Sequence, residues 1–111
     1  MTNKPSIETL VNETRILQNM FKAFEGKPWT VETFTMELLA ETGSLADIII
    51  IKEGYRVPRK NQQEVDIEDG ISDVLFVLIM IADHYGIDIA SSYMRMVEKT
   101  KKKLSEKSKG A

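Results

Sequence analysis

Nine consecutive apolar residues, VLFVLIMIA at positions 74–82, limit what this chain can fold into more than any other feature. A helix that spans a bilayer needs roughly 20 such residues, so the run is too short to cross a membrane. It is also too apolar to lie on a surface, where a helix shows an apolar stripe and a polar remainder. A helix built around it belongs inside a bundle or in a contact between subunits. Its flanks fit that reading: Asp66 is a good cap, acidic residues follow in the first turn, and Gly86 suits the left-handed position past a helix end.

Glycine and proline punctuate the rest at positions 26–28, 54–58 and 86, which leaves four segments of helical length. In the first, Ser6 can cap, and Ile7, Leu10, Val11, Leu17, Phe21 and Phe24 recur at helical spacing. Thr30 caps the second, with Trp29 and Phe34 placed as a hydrophobic staple, and this helix is expected to reach about Lys52. Four isoleucines at positions 48–51 would suit a buried strand equally well, but no partner strand is evident, so a helix is expected there too. Residues 53–65, EGYRVPRKNQQEV, have no period and read as a loop. The third helix covers about 66–86. The fourth runs from Asp88 to about Lys103 before lysines take over. The expectation is an all-α fold of about four helices in one domain, residues 1–104, followed by a flexible lysine-rich tail, residues 105–111. Because the apolar third helix exceeds what one short bundle buries, a homo-oligomer, dimer or tetramer, is expected as well.

A charge of -2, with 42% hydrophobic and 29% charged residues, excludes a disordered tail or a fibre. With no cysteine and a single His84, thiolate and histidine-rich metal sites are excluded, and a cytoplasmic location is compatible. MTNKPSIETL lacks the apolar core of a secretory signal. Residues 99–109 hold six lysines and one glutamate, +5 against -7 elsewhere; a net acidic body argues against nucleic acid as a partner. No phosphate-binding glycine loop or nucleophile elbow is present.

Carboxylates are the chemically informative residues. Glu37 and Glu41 share one face of the second helix, four residues apart, with Ser44 and Asp47 further along it. Asp66, Asp69 and Asp73 form a stripe on the third. Packed antiparallel, the two stripes can meet, and oxygens converging without His or Cys suit a hard cation such as Mg or Mn. Asp66, Glu68 and Asp69 also have a purely local explanation, since acids cap helices and complement their dipoles. Asp73 has none: it lies beyond the first turn and precedes VLFV. Glu41, inside LLAETGSLAD, stands in the same position.

LLAETGSLADI resembles the Glu-x-Gly-Glu-Leu stretch of the MazG-like, all-α nucleoside triphosphate pyrophosphohydrolases, and DGISDVLFVLIMIADHYGIDI resembles their Glu-Glu-x-x-Asp-Val-Leu helix. The likeness spans most of the chain, from Trp29 through both motif helices to Lys99. It implies Mg-dependent hydrolysis of a (deoxy)nucleoside triphosphate to monophosphate and pyrophosphate. Carried over, Glu41 and Asp73 are the catalytic and metal-binding residues. Ser44 and Gly70 stand where the family has its other two acids, which leaves Glu37 and Asp69 as accessory metal-binding acids. Trp29, as a base-stacking aromatic or simply a staple, and Lys99 and Lys102, toward the triphosphate, are the implied substrate contacts. The resemblance leaves open a catalytically impaired member that binds nucleotide or a partner protein.

Overall fold

The computed structural model describes residues 4–60, 62 and 66–109. Four helices account for it: α1 (Ile7–Glu25), α2 (Val31–Lys52), α3 (Ile67–His84) and α4 (Ile89–Lys109). No strand occurs among the described residues. The starts form where side-chain oxygens meet otherwise unpaired backbone donors. Ser6 Oγ accepts from the Thr9 N–H at 3.1 Å, Thr30 Oγ1 from that of Thr33 at 3.3 Å, and Asp66 Oδ1 from that of Asp69 at 2.8 Å. Gly86, with φ at +65°, turns the chain from α3 into α4, and Ile87 N–H closes the turn on the Ala82 carbonyl at 2.8 Å.

The isoleucines at 48–51 are helical, as expected, and the Glu53 N–H bonds the Ile49 carbonyl at 2.9 Å. With no strand alongside, only a helix lets this segment satisfy its backbone internally. The expected end of the fourth helix is corrected: α4 continues past Lys103 and past the expected domain edge at residue 104, to Lys109. Lys, Leu and Glu are good helix formers, and neither Gly nor Pro interrupts them before Gly110. Of the expected loop, residues 61 and 63–65 lie outside the described residues.

Packing centres on α3. It lies mainly against α2 and more lightly against α1. Phe34 from α2 meets Val77 and Met80 from α3 in a small core, with Trp29, Leu38, Phe76 and Ile81 around it. Met80 is only 1% exposed. Further toward the start of α3, Gly70 is buried, and a Cβ there would come within 2.9 Å of Leu45 Cδ1 and 3.4 Å of Ile48 Cδ1. Absence of a side chain is what lets α3 approach α2 this closely. On the other side, Arg15 of α1 donates through Nε to Asp83 Oδ1 at 2.9 Å. After Gly86 the chain bends by 101°, and α4 leaves the other three helices with little contact to any of them. Among the described residues no single helix is long and apolar enough to cross a membrane.

Candidate active site

Glycine at position 70 fixes the site one turn away. Because α2 and α3 close on each other at Gly70, Leu45 and Ile48, the next turns along both helices are also neighbours, and these carry Glu41 on α2 and Asp73 on α3. Glu41 is half-buried, and its carboxyl is pushed above the ordinary glutamate range. Burial contributes most, the negative charge of Asp73 next, and that of Glu37 after it; a hydrogen bond between the Glu41 and Asp73 carboxyls acts in the same direction. Glu37, one turn before Glu41, is half-buried as well, while Asp73 is more open to solvent. Among the described residues no lysine or arginine pairs with any of the three. Like charges gathered on the edge of an apolar contact without a neutralising partner are unfavourable for folding alone.

The remaining sequence candidates separate from this group. Asp69 is exposed in the first turn of α3, where its backbone N–H serves the Asp66 cap, and it is not among the charges acting on Glu41. Asp47 is held elsewhere, by an ion pair with Arg56 and by Gln62 Nε2 donating at 2.9 Å. No spacing along the chain signals that pairing, which depends on how the chain turns at Gly54 (φ +81°) after α2. Ser44 is exposed on α2. Trp29 stacks on Phe21 with ring centroids 6.3 Å apart, lies 6.2 Å from Phe34, and donates from Nε1 to Glu25 at 3.1 Å. Its staple contact with Phe34 is therefore present. His84 ends α3 edge-on to Phe34. Lys99 and Lys102 are exposed on α4; given the 101° bend, helix geometry puts Lys99 about 20 Å from Asp73 in the same chain.

Donor chemistry here suits a hard cation in one mode only. Among the described residues no three acidic or histidine side chains gather closely enough to hold a metal ion by themselves. The facing pair Glu41 and Asp73 instead matches the way Mg is commonly held, by one or two carboxylates with waters and substrate phosphates completing the shell. A hollow of about 590 Å³ lies away from the acids, beside the α3–α4 bend, lined by Val11, Arg15, Asp83 and Ile87 among others.

This arrangement defines an all-α chain in which two antiparallel helices present acids to each other. A solved structure with the same architecture is the "putative pyrophosphatase YPJD" of Bacillus subtilis, which superposes with a TM-score of 0.67 over 90% of this chain and 96% of that one, at 23% identity. At that identity the likeness establishes the shared fold. No family model matches the chain, and no curated protein matches it.

Proposed function

We propose that the chain is a MazG-like nucleotide pyrophosphohydrolase or a diverged relative of one, which hydrolyses a (deoxy)nucleoside triphosphate to the monophosphate and pyrophosphate. The observation that supports this most is the approach of Glu41 to Asp73 across α2 and α3, with Glu37 beside them and, among the described residues, no lysine or arginine paired with the group. The fold shared with a structure described as a putative pyrophosphatase agrees with it.

In this reading Glu41 and Asp73 hold Mg, or Mn in its place, with Glu37 as the accessory acid beside them; Asp69, set apart in the first turn of α3, has no part in it. When bound, the ion supplies neutralisation of phosphate charge and a water more easily deprotonated. The chain's own acids do the rest. Negative charge alone would repel a triphosphate, so the acids also select for a nucleotide that arrives with its cation. A carboxylate of the cluster accepts the proton of the attacking water. The new bond forms to the α-phosphorus, the bond from it to the bridging oxygen breaks, and that oxygen leaves with pyrophosphate. Trp29 is proposed as the aromatic contact to the base. Lys99 and Lys102 are proposed contacts to the phosphates; standing well away from the acids of their own chain, they reach such a ligand from a neighbouring copy.

A second reading is favoured by one specific observation. Gly70 is filled against by Leu45 and Ile48, so the position where the family carries an acid has no room for one without repacking. A chain fixed in that geometry would bind nucleotide, or a partner protein, without turning it over. Pyrophosphate release from a panel of ribo- and deoxynucleoside triphosphates in the presence of Mg separates the two. Hydrolysis of at least one substrate is expected. Failure across the panel, with thermal stabilisation by a triphosphate in the absence of metal, would leave the binding module.

A further inference from the structure

An acid closes α1 at the end where electrostatics favour a base. Glu25 is the last residue of that helix, beside carbonyls that attract cations and repel carboxylates. Among the described residues no lysine or arginine pairs with it. What it does hold is Trp29, whose Nε1–H donates to Glu25 Oε2 at 3.1 Å. The second oxygen of this exposed carboxylate keeps its own lone pairs for another donor. Register places that oxygen near the acids. α1 and α3 run antiparallel, since Arg15 meets Asp83 and Phe21 meets Phe76, edge-on with ring centroids 6.2 Å apart. Both helices rise about 1.5 Å per residue, so the same register continued past Phe21 brings Glu25 level with Asp73. Trp29, half-buried and stacked on Phe21 at 6.3 Å and 23°, belongs to the same layer. Packed helices stand about 8–10 Å apart, a step that one nucleotide is long enough to bridge. With its phosphates at Glu41 and Asp73, its base comes beside Trp29 and Glu25.

We infer that Glu25 reads the base of the bound nucleotide, accepting a hydrogen bond from an exocyclic amino group while Trp29, held by the same carboxylate, stacks on the ring. The inference rests on the nucleotide-binding part of the reading above and adds the class of base. A carboxylate is an acceptor only. Cytosine, adenine and guanine offer it an amino group. Thymine and uracil instead present one ring N–H between two carbonyl oxygens, whose lone pairs repel the carboxylate. The chain therefore prefers amino-bearing bases. Stacking on Trp29 contributes to every base alike, because each has a π-face. Glu25 supplies the difference between them. Since it is exposed, that difference is modest, about 10-fold, well short of what a buried hydrogen-bonding pocket achieves.

Trp29 is the chain's single tryptophan, so its fluorescence reports on this site alone. Titration with dCMP, dAMP, dGMP and dTMP in the presence of Mg measures base preference without turnover, because a monophosphate has no anhydride bond to hydrolyse. The three amino-bearing nucleotides should bind about 10-fold more tightly than dTMP. Glu25→Gln keeps an oxygen for the indole N–H and adds an amide donor. It should therefore retain the melting temperature and the Trp29 emission of the free protein, while the preference shrinks to within about 2-fold. Glu25→Ala releases the indole as well and should weaken all four. With triphosphates, Glu25→Gln should raise KM for the amino-bearing substrates and leave kcat in place, as expected for a contact made equally in the ground and transition states. Equal affinity for all four monophosphates, binding of none, or a Glu25→Gln protein with the parent's preference would overturn the inference. Those outcomes leave the hydrolase reading standing, since Mg-dependent pyrophosphate release decides it separately. A chain that prefers amino-bearing monophosphates yet releases no pyrophosphate would support this inference and sink that reading.

Discussion

Position 41 is where the chemistry of this chain is most exposed to test. Burial, Asp73 and Glu37 all disfavour the charged form of Glu41 and raise its pKa. A raised folded-state value means that folding gains most when Glu41 is protonated, below its unfolded value, and loses that gain as pH rises through the folded value. Glu41→Gln, measured in chelator, should therefore melt above the parent at pH 8, and the difference should close as pH falls into the ordinary carboxylate range. Equal melting at both pH values would mean that the acids do not feel one another. At Gly70 the expected outcome is opposite. Gly70→Glu, which puts back an acid at that position, forces a side chain into the Leu45 and Ile48 contact and should cost about 3 kcal/mol in urea unfolding; a smaller variant, Gly70→Ala, meets only the flexible tips of those side chains and should cost far less. Glu41 and Asp73 were legible in the sequence because an acid within an apolar run has no cheaper explanation. Asp69 was not separable from them by spacing alone, since a first-turn acid that serves a cap and one that faces a neighbouring helix follow the same spacing.

Among elements, the α2–α3 pair carries most of the order. Met80, 1% exposed beneath Phe34 and Val77, should lose about 2 to 5 kcal/mol on Met80→Ala, measured by denaturant unfolding. The lighter α1–α3 contact rests partly on charge. The hydrogen bond from Arg15 holds the Asp83 carboxyl below its ordinary value, so this contribution is present above the unfolded aspartate value and lost as pH falls through the folded one. Arg15→Met should lower the melting temperature at neutral pH and match the parent in strong acid. All four helices were readable from the sequence, because their starts are set locally by Ser6, Thr30, Asp66 and Asp88, whose carboxylate accepts from the Ser91 N–H, and their interruptions by glycine and proline. The end of α4 was not, because lysine continues a helix as readily as it populates a loose tail.

On the scale of the whole molecule, the nine-residue run at 74–82 was read as belonging to an interior or a contact between subunits, and α3 is indeed central, with Val77, Ile79, Met80 and Ala82 buried. The same run leaves Leu78 41% exposed, a face that the other helices of one chain do not cover. Which copy or ligand meets that face depends on contacts beyond the chain, and no local spacing encodes them. The acids, by contrast, meet within one chain, so their chemistry can be tested directly. The decisive measurement is Mg-dependent pyrophosphate release by the parent and by Asp73→Asn, with the best substrate of the panel and with the fold of both checked by circular dichroism. Loss of at least about 100-fold in kcat/KM, as expected when a charge acting on the transition state is removed, is the predicted result; an Asp73→Asn protein that releases pyrophosphate at the parent's rate would contradict it.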